Sequence, residues 1–191
     1  MEYSLTLLTT YYIKNMLVKS LFIFFIIFII HNNAFTKLLE EETNFLSTQF
    51  NNEIPKKKRL IIKKDTKVLL QKIMGDKYNK RIFSYWQKDN STIWILNSIG
   101  KYKPITAGFV IQDCKIKSSH VLVYREQIGY EIKYPNFLLQ FTDAELNSSM
   151  DLNIRVDNIS GATLSVNSME RMAKTALLLN KLSDENTCNK N

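Results

Sequence analysis

The sequence predicts an α+β fold in which a twisted, mostly antiparallel sheet is flanked by helices. Segments rich in β-branched and aromatic residues, alternating with period two, follow one another through the middle of the 191-residue chain. The chain then ends in a long amphipathic pattern, Val166 to Leu182, whose apolar residues recur at helical spacing. Several strands in a row with helices on either side are typical of an α+β domain.

The individual elements are predicted from their periodicity and from the residues that end them. A helix is expected over Thr66–Met74, with Asp65 as its N-cap and Gly75 just after its end. Asp113-Cys114-Lys115 is expected as a tight turn between two strands, and Asn180 interrupts the apolar stripe of the last helix. The predicted strands are Arg81–Gln87, Thr92–Asn97, Ile105–Gln112 and Ile116–Arg125, with shorter ones at Gly129–Lys133, Phe137–Phe141 and Leu152–Val156.

The N-terminal segment predicts export. Leu21–Ile30 is a run of ten large apolar residues, preceded by Lys19 and followed by the small Ala34. Ten helical residues cover about 15 Å, half of a bilayer core of about 30 Å, which favours a signal peptide over a comfortable span. Residues 1–34 are therefore expected to be a signal peptide or an uncleaved membrane anchor, with Met1 and Met16 as alternative starts. We expect a periplasmic or other extracytoplasmic protein, secreted or anchored at the inner membrane.

The excess positive charge belongs to one part of the chain. The formal net charge is +8, yet Lys56–Arg81 holds eleven Lys and Arg against two acids, a local net of +9. We expect residues 35–64 to be a linker and basic segment, 65–182 the folded domain, and 183–191 a polar tail. Because an exported protein rarely meets nucleic acid, that partner is not expected. The basic residues form either a solvated face or a docking surface for an acidic redox partner or an anionic membrane.

The sequence offers little for metal binding or nucleophilic catalysis. Cys114 and Cys188 are the only cysteines, which permits one disulfide, and His31 and His120 are the only histidines. No spacing typical of a zinc or haem site occurs, and no nucleophile with an adjacent base can be identified. We therefore expect no metal and no catalytic residue.

The strand-to-helix junction at Ser160–Thr163 carries the clearest functional signal. Four small residues leave the backbone approachable just before a long helix, whose free N–H groups and dipole favour an anion. A phosphate on Thr163 would lie in that field. The alternative is a tight connection in which Thr163 or Ser165 caps the helix and Gly161 supplies a positive φ angle.

The segment Asp157-x-x-Ser160-Gly161-Ala162-Thr163 resembles the acceptor motif of the FMN-binding domain family. This family occurs in flavin subunits of the sodium-pumping NADH:quinone reductase and of the Rnf electron-transport complex, and in small exported single-domain proteins. The similarity extends over about Gly100 to Leu182. Further blocks that resemble the small exported members are Lys103-Pro104-Ile105-Thr106, Gly108–Gln112, Tyr124-Arg125-Glu126, Gly129-Tyr130-Glu131 and Phe137–Phe141.

The resemblance implies that a flavin transferase joins FMN through its phosphate to the hydroxyl of Thr163. Asp157, Ser160, Gly161 and Ala162 match the other fixed positions of the motif. The chain would then be an electron carrier, or the redox module of an extracytoplasmic reductase, acting with redox partner proteins. The alternative is a non-flavin binding module in which the turn is only a helix cap. Candidates for the surroundings of the flavin ring are Gly129, Tyr130 and Glu131, with Arg125, Glu126 and Gln140 as further ones.

Overall fold

The computed structural model of the protein describes residues 16, 19–21, 36–183 and 188. The chain divides into two compact units, Met1–Glu41 and Glu42–Asn191. In the first unit residues 36–41 are helical, and most of the predicted signal segment lies outside the described residues. Within the part of the chain that the structure describes, no helix has the length and apolar character needed to cross a bilayer.

The second unit is built on a five-stranded antiparallel sheet in the order β1-β2-β3-β4-β5. It opens with helical residues 42–49, here called α1. The remaining helices of this unit surround the sheet, and α4 packs against β3, β4 and α2. The elements are β1 Lys58–Ile61, α2 Lys64–Met74, β2 Ile82–Lys88, β3 Ser91–Ile99, β4 Pro104–Gln112, β5 Lys115–Val123, a 3-10 turn Tyr130–Lys133, α3 Pro135–Leu138, a 3-10 turn Leu139–Phe141 and α4 Thr163–Leu182.

Both faces of the sheet are buried, each against a different partner. Trp94 lies in the larger core, with Phe109 from β4 and Met169 from α4. The neighbouring Ile93 lies in a smaller core with Phe45, which comes from α1. Successive strand residues point to opposite faces, so one strand contributes to both cores. This arrangement is the α+β fold that the sequence predicts.

The four longer strands and both helices of the sequence prediction are confirmed, with ends that move by a few residues. Gly75 ends α2 as predicted, with φ +105° and its N–H donating to the Gln71 carbonyl. Asp65 does not cap that helix: the N-cap is Lys63, and Asp65 lies in the first turn. A carboxylate there still interacts favourably with the helix dipole.

The three shorter strand predictions are wrong. Gly129–Lys133 and Phe137–Phe141 are expected as strands, yet their residues form the two 3-10 turns and α3. Pro135 lies at the first position of α3, where proline favours the start of a helix. Phe137 and Phe141 are both buried, four residues apart as on one face of a helix, and their ring centroids are 5.6 Å apart. Leu152–Val156 makes only an isolated bridge, Leu152 with Leu146, among the described residues.

Two further features tie the sheet to its surroundings. The predicted turn at Asp113-Cys114 is a two-residue hairpin in which both residues have positive φ, the type I′ geometry that matches strand twist. Cys114 is disulfide-bonded to Cys188 of the polar tail. The sheet also begins at β1, pairing Lys58–Ile61 with β2, so ordered structure starts upstream of residue 65.

Candidate functional site

The junction that leads into α4 is a tight turn whose cap is made by backbone groups. Ala162 is the N-cap residue, and no side chain caps the helix. The N–H groups of Ser165 and Val166 both donate to the Ala162 carbonyl, at 2.8 and 3.0 Å. Gly161 has φ +77°, as predicted for this turn. The alternative in which Thr163 or Ser165 caps the helix is therefore wrong.

The Thr163 hydroxyl is left available by this arrangement. Thr163 is exposed at the first position of α4, and its Oγ1 accepts a hydrogen bond from Asn158 Nδ2 at 2.9 Å. The side-chain Oδ1 of Asn158 in turn accepts the Ile159 N–H, also at 2.9 Å, which fixes the orientation of the side-chain amide. Among the described residues, the backbone N–H groups of Thr163 and Leu164 have no acceptor. Such free amides, with the dipole of a 20-residue helix behind them, favour an anion at Thr163.

Thr163 lies at the edge of a cavity of about 390 Å³. Three segments form its walls: the turn between β3 and β4, the loop after β5, and the start of α4. The wall residues are Lys101, Tyr102, Lys103, Glu126, Gln127, Ile128, Gly161, Ala162, Thr163, Leu164 and Ser165. Two lysines and a helix end that favours an anion thus line one cavity.

The first wall is held in place by the carboxylate of Glu126. Its Oε1 accepts the backbone N–H groups of Tyr102 at 2.6 Å and Lys103 at 2.8 Å. These hydrogen bonds, with that of Lys103 the strongest, lower the pKa of Glu126, so the carboxyl stays ionised. Gly100 makes the approach feasible, because a Cβ there would lie 2.9 Å from the same oxygen.

The loop after β5 is fixed directly onto the start of α4. The Tyr124 hydroxyl donates to the Ile128 carbonyl and lies 3.2 Å from Ser165 Oγ. Burial raises the pKa of Tyr124, which keeps the donating proton in place. Gly129, with φ +91°, lies against Ala162. The predicted residues Gly129, Ala162 and Thr163 are therefore brought together.

Gly161 and Glu126 also line the first cavity, whereas the remaining predicted residues lie around a second cavity, of about 420 Å³, or outside both. Asp157, Glu131 and Gln140 line the second cavity, and the Asp157 N–H donates to Gln140 Oε1 at 2.7 Å. Tyr130 is exposed, with its ring 6.0 Å from that of Tyr124. Ser160 is exposed in the turn itself.

Arg125 contacts the start of β4 in the sheet. Its Nη1 donates to the Pro104 carbonyl at 3.0 Å and approaches Thr106 Oγ1 at 3.2 Å. These contacts tie the end of β5 to the start of β4. Neither Arg125 nor Glu126 uses the other as an ion-pair partner among the described residues.

Sequence reasoning missed the wall formed by Lys101, Tyr102 and Lys103. The available signal in the sequence was an aromatic residue between two lysines, directly before a predicted strand. Tyr102 is 76% exposed, and Lys101 Nζ lies 5.0 Å from the centre of its ring. Only the hydrogen bonds that the Tyr102 and Lys103 N–H groups donate to Glu126, 24 and 23 residues away in sequence, bring this turn to the cavity.

Comparison with known proteins gives a match to a protein-family model. No curated protein matches the chain. Residues 100–178 match the family model described as FMN-binding domain, a range that contains all three walls of the first cavity. A domain of this kind indicates a flavin-binding, electron-transfer role, with FMN as the cofactor. On this evidence residues 100–178 of the chain belong to the FMN-binding domain family.

Proposed function

We propose that this protein is an exported electron-transfer flavoprotein that carries FMN through a phosphoester bond to Thr163. The observation that carries the proposal is the exposed Thr163 hydroxyl, which does not cap α4 and lies at the edge of a cavity. A hydroxyl in that place is accessible both to an enzyme that modifies it and to a cofactor that remains beside it.

The residues around Thr163 fit FMN. The free N–H groups at the start of α4 would donate hydrogen bonds to its phosphate, and Lys101 and Lys103 add positive charge to the opposite wall. The space beside Gly161 is open, because a Cβ there would meet only Ile128 Cγ2, at 3.9 Å. The FMN ring system supplies reversible electron transfer when it is bound.

Attachment requires a bond between Thr163 Oγ1 and phosphorus. The hydroxyl loses its proton, the O–P bond forms, and the bond from phosphorus to the leaving group of a phosphoanhydride-activated FMN breaks. Among the described residues, only Asn158 Nδ2 hydrogen-bonds to Thr163 Oγ1, and it is a donor. The base that takes the proton would therefore come from the flavin transferase.

The covalent bond suits an exported carrier. A cofactor held only by contacts can be lost to surroundings in which free flavin is scarce, whereas a phosphoester prevents loss without an enclosed pocket. The apolar run Leu21–Ile30 supports export or anchoring at the inner membrane. The chain would pass electrons as a carrier, or as the redox module of an extracytoplasmic reductase.

Partner docking is proposed for the basic segment. Lys56 and Arg59 are exposed, and Lys57 Nζ lies 5.1 Å from the Trp86 ring centre. Positive charge of this density steers encounters with an acidic redox protein or an anionic membrane surface.

The test is coexpression of the chain with a flavin transferase, followed by intact mass and in-gel fluorescence after denaturation. We expect a mass increase equal to FMN minus water, lost in Thr163→Ala and kept in Thr163→Ser. The control is Thr142→Ala, which removes an exposed hydroxyl elsewhere and should keep the flavin. No mass increase in the parent chain would favour the non-flavin binding module. An increase that survives Thr163→Ala would exclude Thr163 as the attachment site.

A further inference from the structure

Two cavities lie next to the turn Ser160–Thr163, here called the attachment turn after the bond proposed at Thr163, and their charges differ. The cavity at Thr163 has Lys101 and Lys103 in its walls, with Glu126 as the single acid. The second cavity has the acids Glu131 and Asp157, and none of its described wall residues is Lys or Arg. The phosphodiester that would link FMN to Thr163 carries one negative charge, and the flavin ring gains negative charge on reduction. Charge complementarity therefore favours the cavity at Thr163.

Tyr102 is an unusual element of that cavity. It is 76% exposed, although large aromatic side chains normally bury most of their surface. Its only described ring contact is with Lys101 Nζ, 5.0 Å from the ring centre. A planar aromatic side chain with an adjacent cation is suited to contact a planar ring that gains negative charge on reduction.

The turn that carries Tyr102 is ordered in spite of this exposure. The Gly100 N–H donates to the Lys103 carbonyl at 3.0 Å, which closes the turn between β3 and β4. Glu126 Oε1 then accepts two consecutive backbone N–H groups from it, at 2.6 and 2.8 Å. Because these bonds involve backbone atoms, they fix the position of the turn and leave the Tyr102 side chain free to contact a ligand.

We infer that the turn Lys101–Lys103 is the ring-binding wall of the site, with Tyr102 as the aromatic contact of the flavin ring and Glu126 as the positioning residue that holds the turn. This inference rests on the proposed function, since it assigns the wall that the Thr163-linked FMN faces. It assigns ring contact to residues that the sequence motif does not include, and it leaves Glu131 and Gln140 without that role.

The test uses the full chain loaded with flavin by coexpression with the transferase. The readout is flavin fluorescence of the folded protein divided by that of the same sample after denaturation, because an aromatic contact quenches flavin emission. This ratio is independent of how much flavin was attached. We expect Tyr102→Leu to raise it about threefold, since the ring contact is removed while an exposed site tolerates leucine. The matched control is Tyr134→Leu, which removes a 53% exposed tyrosine from the wall of the second cavity and should leave the ratio unchanged.

Glu126 is tested by two substitutions. Glu126→Ala removes the acceptor of both backbone N–H groups and should raise the ratio about as much as Tyr102→Leu does, because the turn is no longer held. Glu126→Gln retains a neutral acceptor and should restore most of the quenching. Circular dichroism confirms that both variants keep the fold.

The possible outcomes separate failure of the inference from failure of the proposed function. A flavin mass in all variants with an unchanged ratio for Tyr102→Leu overturns the inference and leaves the proposed function intact. A ratio that rises for Tyr134→Leu instead places the ring at the second cavity and also overturns it. The absence of a flavin mass in the parent chain overturns the proposed function, and the inference with it.

Discussion

Gly129 lies directly against Ala162, so that a Cβ on Gly129 would lie 2.6 Å from the Cβ of Ala162. The same added atom would lie 2.9 Å from the Tyr124 hydroxyl. Gly129 also has φ +91°, a conformation that L side chains rarely adopt. The loop after β5 and the attachment turn are therefore fitted together at a contact that only glycine permits on one side and a small residue on the other.

Gly129→Ala should destabilise the protein and displace the attachment turn. Backbone strain and steric overlap act together, and we expect a loss of about 2–4 kcal/mol in the free energy of unfolding. The comparison variant is Gly75→Ala, where φ is +105° and nothing lies within 4 Å of the added Cβ, so that its loss contains strain and no contact. The ψ angles differ, 152° at Gly75 and 27° at Gly129, so the two strains are not equal. Urea denaturation measures both losses. A loss below about 1 kcal/mol for Gly129→Ala would show that the contact with Ala162 contributes nothing.

Asn158 should set the rate at which Thr163 receives its phosphate. Asn158 Nδ2 donates to Thr163 Oγ1 at 2.9 Å, so Asn158→Ala should slow flavin attachment about tenfold by releasing the hydroxyl. Asn158→Asp should slow it further, because a carboxylate would repel the incoming phosphate. The measurement is the time course of the mass increase with purified transferase. Asn167→Ala, at an exposed position on α4, the helix that begins at Thr163, serves as the control. A normal rate for Asn158→Asp would contradict this role.

The stability of the second unit should fall in mild acid through His120. Burial lowers the pKa of His120 below 6.5, and its ring lies 5.0 Å from that of Phe45. The unfolded chain therefore binds a proton more readily than the folded chain. The stabilisation is complete above pH 6.5 and is lost as the pH falls from there towards the lower folded pKa.

Urea denaturation at about pH 7.5 and about pH 5 tests this in the parent chain and in His120→Gln. Other groups titrate in the same range, and burial raises the pKa of Glu42, which acts in the opposite direction. The informative quantity is therefore the difference between the two proteins, which should shrink as the pH falls. A difference independent of pH would rule out His120 as the source.

The basic segment should bind an anionic membrane surface. For the chain beginning at residue 35, Lys56→Ser with Arg59→Ser should weaken binding to vesicles that contain phosphatidylglycerol. At about 1 kcal/mol per charge the loss is roughly 30-fold at low salt. Lys133→Ser with Arg155→Ser removes the same charge elsewhere and is the control. If the two double variants bind the vesicles equally well, the segment is a solvated face towards membranes, and an acidic redox partner becomes the remaining candidate for docking.

Much of the sheet is predictable because its signal is local. Period-two alternation from Ser91 to Val123 indicates which residues face each core. The turn at Asp113-Cys114 is predicted from the break between two such segments, and in the structure both residues have positive φ. The strand predictions between Gly129 and Phe141 are wrong because the local signal there does not distinguish a strand from a helix. The apolar residues of this stretch suit a strand or a buried short helix equally well, and only packing against the sheet selects the helix.

The sequence by itself determined the fold class, the long last helix and the family motif that ends at Thr163, because periodicity and short motifs are properties of neighbouring residues. The tertiary structure decided which distant residues meet. Asn180, which breaks the apolar stripe of α4, accepts a hydrogen bond from Thr92 Oγ1 at 2.6 Å across 88 residues. Glu126 likewise brings Tyr102 to the cavity at Thr163 from another hairpin. Such contacts depend on the register of β3 against β4 and on the packing of α4, and no local pattern encodes them.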